Sequence, residues 1–200
     1  CGDGSGHVYV TRGNSTSDFY MYDVVLDSWY QKAPVPLGVT GKTVKGGTDM
    51  VFTNGYLYLL KGYKNEFWKY NPGNDSWASL PDAPLGASGK NKYDKGSWIT
   101  YDGAGFIYAH KAKYNEMFAY DVTLDTWSSA AVPGMPLISQ TGKSKKSKDG
   151  GCADLMGTNI FALKGGNTQE FWKYSITDTA WTESDTLPQF GTTGKKKKVK

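Results

Sequence analysis

The chain has 200 residues, a formal net charge of +4, 25 Gly, 14 Tyr and 7 Trp. No run reaches the roughly 18 apolar residues of a membrane-spanning helix. Only two Cys and two His are present, in no CxxC or ligand-like cluster, which argues against zinc, haem and iron–sulfur chemistry and leaves no cofactor or metal expected.

The first unit opens on Cys1, followed by Gly-Asp-Gly-Ser-Gly. That start suits the lipid-carrying first residue of a bacterial lipoprotein, and equally an arbitrary cut site. It carries no signal-peptide pattern, as expected of a mature, truncated or cytosolic chain. Any first strand near Cys1 is degenerate. Val8–Val10 then reads as the second strand, closing on Arg12-Gly13, and Asp18–Tyr22 as the third, leading to Trp29 and the exit prolines Pro34 and Pro36. The second unit is complete. Thr48–Thr53 and Tyr56–Leu60 flank an Asn54-Gly55 hairpin turn, and Lys61-Gly62 closes the second strand. Glu66–Tyr70, Trp77 and Pro81/Pro84 follow in the same order.

The third unit repeats it with Trp98–Tyr101, the Asp102–Gly105 turn, Phe106–Ala109, Lys111-Ala112, Glu116–Tyr120, Trp127 and Pro133/Pro136. The fourth reads Cys152–Met156, Gly157–Asn159, Ile160–Leu163, Lys164-Gly165, Glu170–Tyr174, Trp181 and Pro188. Aromatic residues suit pleated, half-buried surfaces, Gly supplies the positive φ of tight turns, and Pro ends ladder pairing.

Four Tyr/Trp pairs mark the register: Tyr22/Trp29, Tyr70/Trp77, Tyr120/Trp127 and Tyr174/Trp181, with Trp-to-Trp steps of 48, 50 and 54 residues. A four-stranded antiparallel meander repeated at about 50 residues is the pattern of a β-propeller blade. The expectation is an all-β chain of four four-stranded blades, spanning 1–47, 48–97, 98–151 and 152–200. The eight Tyr and Trp residues are expected to be structural, each burying a large area between blades.

On the Tyr-x6-Trp spacing, the Ile-Tyr-like second strand and the small residue that closes it, the sequence resembles the kelch-repeat β-propeller family over nearly its whole length. The match is divergent, since only Gly165-Gly166 keeps the Gly pair that ends a kelch second strand. The last unit ends at Lys200, within what would be the loop to a fifth unit. The four units therefore either close as a small propeller or form part of a larger one. Open faces would invite self-association. Cys1 and Cys152 occupy equivalent places and become neighbours only if four blades close.

A second ladder is [Ser/Thr]-Gly-Lys, which places Lys42, Lys90, Lys143 and Lys195 13 to 16 residues after each Trp. The loops that carry it hold 14 of the 22 lysines. In a meander the turn after the second strand and the connection after the fourth open on one side. Arg12, Lys61, Lys111 and Lys164 should therefore share a face with these loops, and clustered charge there would attract anions. The competing reading pairs each of those cations with the acid that starts the third strand: Asp18, Glu66, Glu116 and Glu170. The Gly-Lys loop would then be a blade-to-blade clasp.

Walker A and Gly-x-Ser-x-Gly patterns are absent, and His110 reads as a packed residue. The lysine run at 195–200 reads as a fourth loop copy rather than a nuclear address. The basic loops lack the interleaved aromatics of a nucleic-acid site. The functional expectation is a non-catalytic binding or interaction propeller, extracellular or on a cell surface, whose basic face meets an anionic glycan or a protein. The alternatives are a structural component of a surface layer, filament or larger assembly, or a sugar-modifying enzyme of the kind the kelch resemblance implies. Two unclustered His argue against the copper chemistry found among kelch relatives.

Overall fold

The computed structural model describes residues 1–196 and residue 199. Four antiparallel meanders follow one another along the chain. Blade 1 contains β1 (His7–Thr11), β2 (Phe19–Asp23) and β3 (Ser28–Lys32), paired in that order. Blade 2 contains β4 (Asp49–Thr53), β5 (Tyr56–Leu60), β6 (Phe67–Asn71) and β7 (Ser76–Leu80). Blade 3 contains β8 (Trp98–Tyr101), β9 (Phe106–Lys111), β10 (Glu116–Asp121) and a short β11 (Thr126–Trp127). Blade 4 contains β12 (Cys152–Met156), β13 (Asn159–Leu163), β14 (Phe171–Ser175) and β15 (Ala180–Glu183).

The expected weakness at the start is visible. Blade 1 has no full first strand, only an antiparallel bridge from Gly2 to Val8, held by Cys1 backbone hydrogen bonds to Tyr9. The other first strands, β4, β8 and β12, line a central hollow of about 490 Å³. Asp49 ties two of them together, accepting backbone N–H groups from Met50 and from Ile99 of the next blade, both at 2.9 Å. Gly96, at φ 87°, enters β8 where a Cβ would collide with the carbonyl of Lys148, so this close approach requires glycine.

The turn from the third to the fourth strand repeats in fine detail. Asp27, Asp75, Asp125 and Thr179 each adopt positive φ. The three aspartates also accept the hydroxyl of the Tyr five residues earlier: Tyr22, Tyr70 and Tyr120. This fixes the register that pairs each Tyr with its Trp across the ladder.

The core lies between blades. Tyr9, Phe19 and Val35 pack on Leu57, Leu59 and Tyr70; Tyr58 and Phe67 pack on Ile107 and Tyr120; Tyr108 and Met117 pack on Ile160 and Tyr174. Cores thus join blades 1 to 2, 2 to 3 and 3 to 4. Among the described residues no core joins blade 4 to blade 1. Cys1 and Cys152 are both exposed and unbridged. Among the described residues no helix is long and apolar enough to cross a membrane.

His110 is fully buried between blades 3 and 4. Its ring stacks on Trp98 with centroids 5.0 Å apart, and its Nε2 meets Ser147 Oγ at 2.6 Å. Burial, assisted by the charge of Lys164, lowers its pKa from 6.5 to about 3. A depressed folded-state value means that the unfolded chain binds the proton first. The contribution is intact above pH 6.5 and is lost as pH falls toward 3. Thermal midpoints should therefore fall on acidification through that window, and His110→Gln should flatten the profile. Parallel profiles for the two proteins would assign the acid sensitivity elsewhere.

Candidate functional site: the lysine-rich loop face

Each connection between blades returns across the end of its own blade. Val44 exchanges backbone hydrogen bonds with Ser15 and Thr16, Tyr93 with Tyr63 and Lys64, and Val199 with Asn167 and Thr168; Lys113 donates to Ser147. The second-strand turn and the exit loop therefore share one side of the molecule, as the meander requires.

What the sequence could not tell is that these positions form two layers. Lys61, Lys111 and Lys164 lie beneath the loops with fully buried side chains. Lys61 Nζ pairs with Glu66 at 2.9 Å and donates to the carbonyls of Pro36 and Leu37, each at 2.9 Å. Lys111 pairs with Glu116 at 3.2 Å and donates to Leu85 O and Ser88 Oγ. Lys164 pairs with Glu170 at 2.6 Å and donates to Leu137 O. Burial lowers the Lys111 ammonium below its ordinary value, against the pull of Glu116.

The carboxylates grip the same loops. Glu66 accepts the N–H of Thr40 at 3.1 Å, and Glu116 accepts that of Ser88 at 2.7 Å. Gly38, at φ 64°, lies so close to Glu66 that a Cβ would strike its carboxylate. Each pair is therefore a clasp on the loop arriving from the preceding blade. The expectation that Lys61, Lys111 and Lys164 present charge to a ligand is corrected, because their donors are spent on backbone and carboxylate oxygens. Aromatic rings complete the pocket, with Lys111 Nζ 5.0 Å from the Tyr114 ring centroid and Lys164 Nζ 5.3 Å from that of Trp172. Arg12 differs. Among the described residues no loop from another blade covers it, its side chain is 66% exposed, and it meets Asp18 at 3.4 Å.

The outer layer is the [Ser/Thr]-Gly-Lys ladder. Lys42, Lys90, Lys143 and Lys195 are all exposed. Among the described residues none of the four makes an ion pair. Lys92 and Lys95 are partly neutralised by Asp94 at 3.1 Å and Asp149 at 3.4 Å. Two hollows open on this side. One, of about 450 Å³, has Lys143, Lys145 and Lys196 on its walls together with Glu170 and Glu183. The other, of about 280 Å³, lies among Lys95, Lys113 and Lys148 with Asp94 and Asp149. Tyr63, half-buried, lies 4.2 Å beneath Lys92 on the same side. Lys197, Lys198 and Lys200 lie outside the described residues.

The Tyr and Trp residues hold blades together. Tyr70, Tyr120 and Tyr174 are buried. The Nε1 groups of Trp77, Trp127 and Trp181 donate to the carbonyls of Ala33, Pro81 and Pro133 of the preceding blade, at 2.8 to 2.9 Å. Neither these bonds nor the glutamate grip on the loop was anticipated. The five-residue step from Tyr to Asp, kept in three of the four units, was a readable signal for the turn.

Four antiparallel sheets, stacked face to face around a hollow lined by Cys1, Gly2 and the first strands of blades 2 to 4, decide the architecture. The fold is a β-propeller. No known family model matches the sequence, and no curated protein matches it. Among solved structures this propeller is similar to one described as "Structure of YjhT", with 16% identity and a TM-score of 0.65 over 91% of this chain. The chain spans 63% of the length of that one. At such identity the likeness speaks for the fold alone.

Proposed function

We propose that this chain is a non-catalytic binding propeller of kelch type, acting outside the cell or on its surface. Its lysine-rich loop face would hold an acidic glycan. The observation that carries the reading is the outer ladder. Lys42, Lys90, Lys143 and Lys195 project from equivalent loops, one per blade, with no acid pairing them among the described residues. Clustered uncompensated charge attracts a polyanion even where net charge is small. A charge repeated once per blade suits a repeating ligand better than a single reacting centre. Half-buried Tyr63 and Tyr114 add ring surface beside the lysines on that side, where a sugar ring can rest.

The test is retention on a heparin-like resin. The native chain should be retained and released by salt, and the Lys42→Glu/Lys90→Glu/Lys143→Glu/Lys195→Glu variant should flow through. Undiminished retention of that variant would remove these lysines from the site.

A further inference from the structure

The turn after the second strand of each blade has one position whose backbone suits glycine. Asn14, Tyr63, Lys113 and Gly166 occupy it, at φ 48°, 64°, 74° and 63°. Gly adopts this conformation freely and Asn tolerates it. A bulky residue there is an outlier that persists only where its surroundings hold it, and such outliers gather at functional sites. Only blade 4 keeps a Gly pair at the end of its second strand, Gly165-Gly166. Blades 2 and 3 carry a ring and a cation in place of the second Gly. Burial does not account for either one, since Lys113 is exposed and Tyr63 only half-buried.

Both belong to one cluster on the loop face. Asp94, Lys95, Lys113, Lys148 and Asp149 line the hollow of about 280 Å³. Its two acids are engaged, Asp94 by Lys92 at 3.1 Å and Asp149 by Lys95 at 3.4 Å. Lys113 and Lys148 make no ion pair among the described residues, so two uncompensated lysines share its wall. Burial would raise the Asp94 carboxyl, but the Lys95 N–H and the charges of Lys92 and Lys113 hold it below its ordinary value. Tyr63 joins the cluster through Lys92, whose Nζ lies 4.2 Å from its ring centroid.

The backbone beneath these side chains is fixed. Tyr63 N–H donates to Tyr93 O at 2.7 Å, Lys113 N–H to Ser147 O at 2.8 Å and Lys148 N–H to Lys164 O at 3.2 Å. Groups that start from an ordered backbone lose less freedom when a ligand arrives.

We propose that this hollow seats one acid group of the glycan, a carboxylate or a sulfate, between Lys113 and Lys148, with the Tyr63 ring beside the adjoining sugar. The proposal rests on the reading of the loop face as a glycan site and names the point where one unit of the polymer is fixed. The outer ladder attracts the polyanion along its length. Lys113 and Tyr63 are retained at a glycine position because the ligand needs them there.

Calorimetric titration with a heparin-derived hexasaccharide, beside thermal melts of the whole chain, tests this. Lys113→Gly should raise Tm by about 2–4 °C, because glycine relieves the backbone. The same variant should bind about tenfold more weakly, the effect of one lost charge-assisted contact. A side chain kept for structure alone would not leave a more stable protein that binds less. Lys148→Gln should weaken binding by a similar factor at unchanged Tm. Tyr63→Asn should weaken it too, with Tm close to the native value. Lys45→Gln removes an exposed lysine that is not on the wall of the hollow, and should change affinity by less than about twofold. A Lys113→Gly variant that binds no more weakly than Lys45→Gln overturns the proposal, as does one whose Tm falls. So does a native chain that leaves the hexasaccharide free. Resin retention of the native chain and of the four-lysine ladder variant is read separately, so the loop-face reading can stand where this seat fails.

Discussion

Lys61→Met should cost about 3–5 kcal/mol of stability, the range for breaking a buried ion pair from one side. The Glu66 side chain is 4% exposed and would keep its charge without the ammonium that balances it. The carbonyls of Pro36 and Leu37 would lose their shared donor in the same step. For a chain of this size that is a fall in Tm of about 10 °C. Lys61→Met/Glu66→Leu should recover part of the loss, since apolar pairs of similar volume often replace buried ion pairs without penalty. Recovery should stay incomplete, because Glu66 also holds the Thr40 N–H. Arg12→Met should lower stability by less than about 1 kcal/mol, as exposed pairs do. Chemical denaturation of the three variants checks the ranking. Equal costs for Lys61→Met and Arg12→Met would mean that the clasp does not hold the blades.

Phe67→Ala should cost about 3–5 kcal/mol, as for other large-to-small changes at buried aromatic positions. The ring is fully buried and wedged edge-on against Tyr120 at 75°. Its removal leaves a cavity that the two rigid rings of the next blade, Tyr120 and Trp127, cannot collapse to fill. Phe171→Ala removes the same side chain from the same strand position, but among the described residues no blade closes over it. Its cost in the monomer should be under about 1.5 kcal/mol, mostly the lost stack on Phe161 and part of the area term. Denaturant midpoints for the two variants, measured where the native chain is monomeric, check the contrast. Similar losses would mean that the outer face of blade 4 is already covered.

The scaffold was legible because its signals are local. The Asn54-Gly55 turn, the alternation of Tyr56–Leu60 and the Tyr-x6-Trp step each report on a few neighbouring residues, and the structure places a hairpin or a cross-strand pair at every one. Degeneracy before Val8 was legible too, since Cys1–Gly6 offers no apolar alternation and blade 1 forms only a bridge there.

The layering of the cations was not legible, because burial depends on what arrives from another blade. Lys42 and Lys61 look alike as residues, yet one tops a loop and the other lies beneath that same loop. The sequence did hold half the clue, since Lys61, Lys111 and Lys164 end apolar strands and are followed by an acid five or six residues on. The other half was the small, positive-φ Gly38 and Gly86, which let the loop press down on Glu66 and Glu116. Nothing local marks Ser147 as the partner of His110, 37 residues away.

The lysines fall into two sets, an inner one that holds blades together and an outer one proposed to meet the ligand. Calorimetric titration of a heparin-like polysaccharide into the native chain and into the Lys42/Lys90/Lys143/Lys195→Glu variant, with Tm recorded for both, tests that division. Binding should weaken steeply with salt in the native chain and vanish in the variant, while the Tm of the two stays close. Unchanged binding in a folded variant, or a Tm that collapses like that of Lys61→Met, would contradict it.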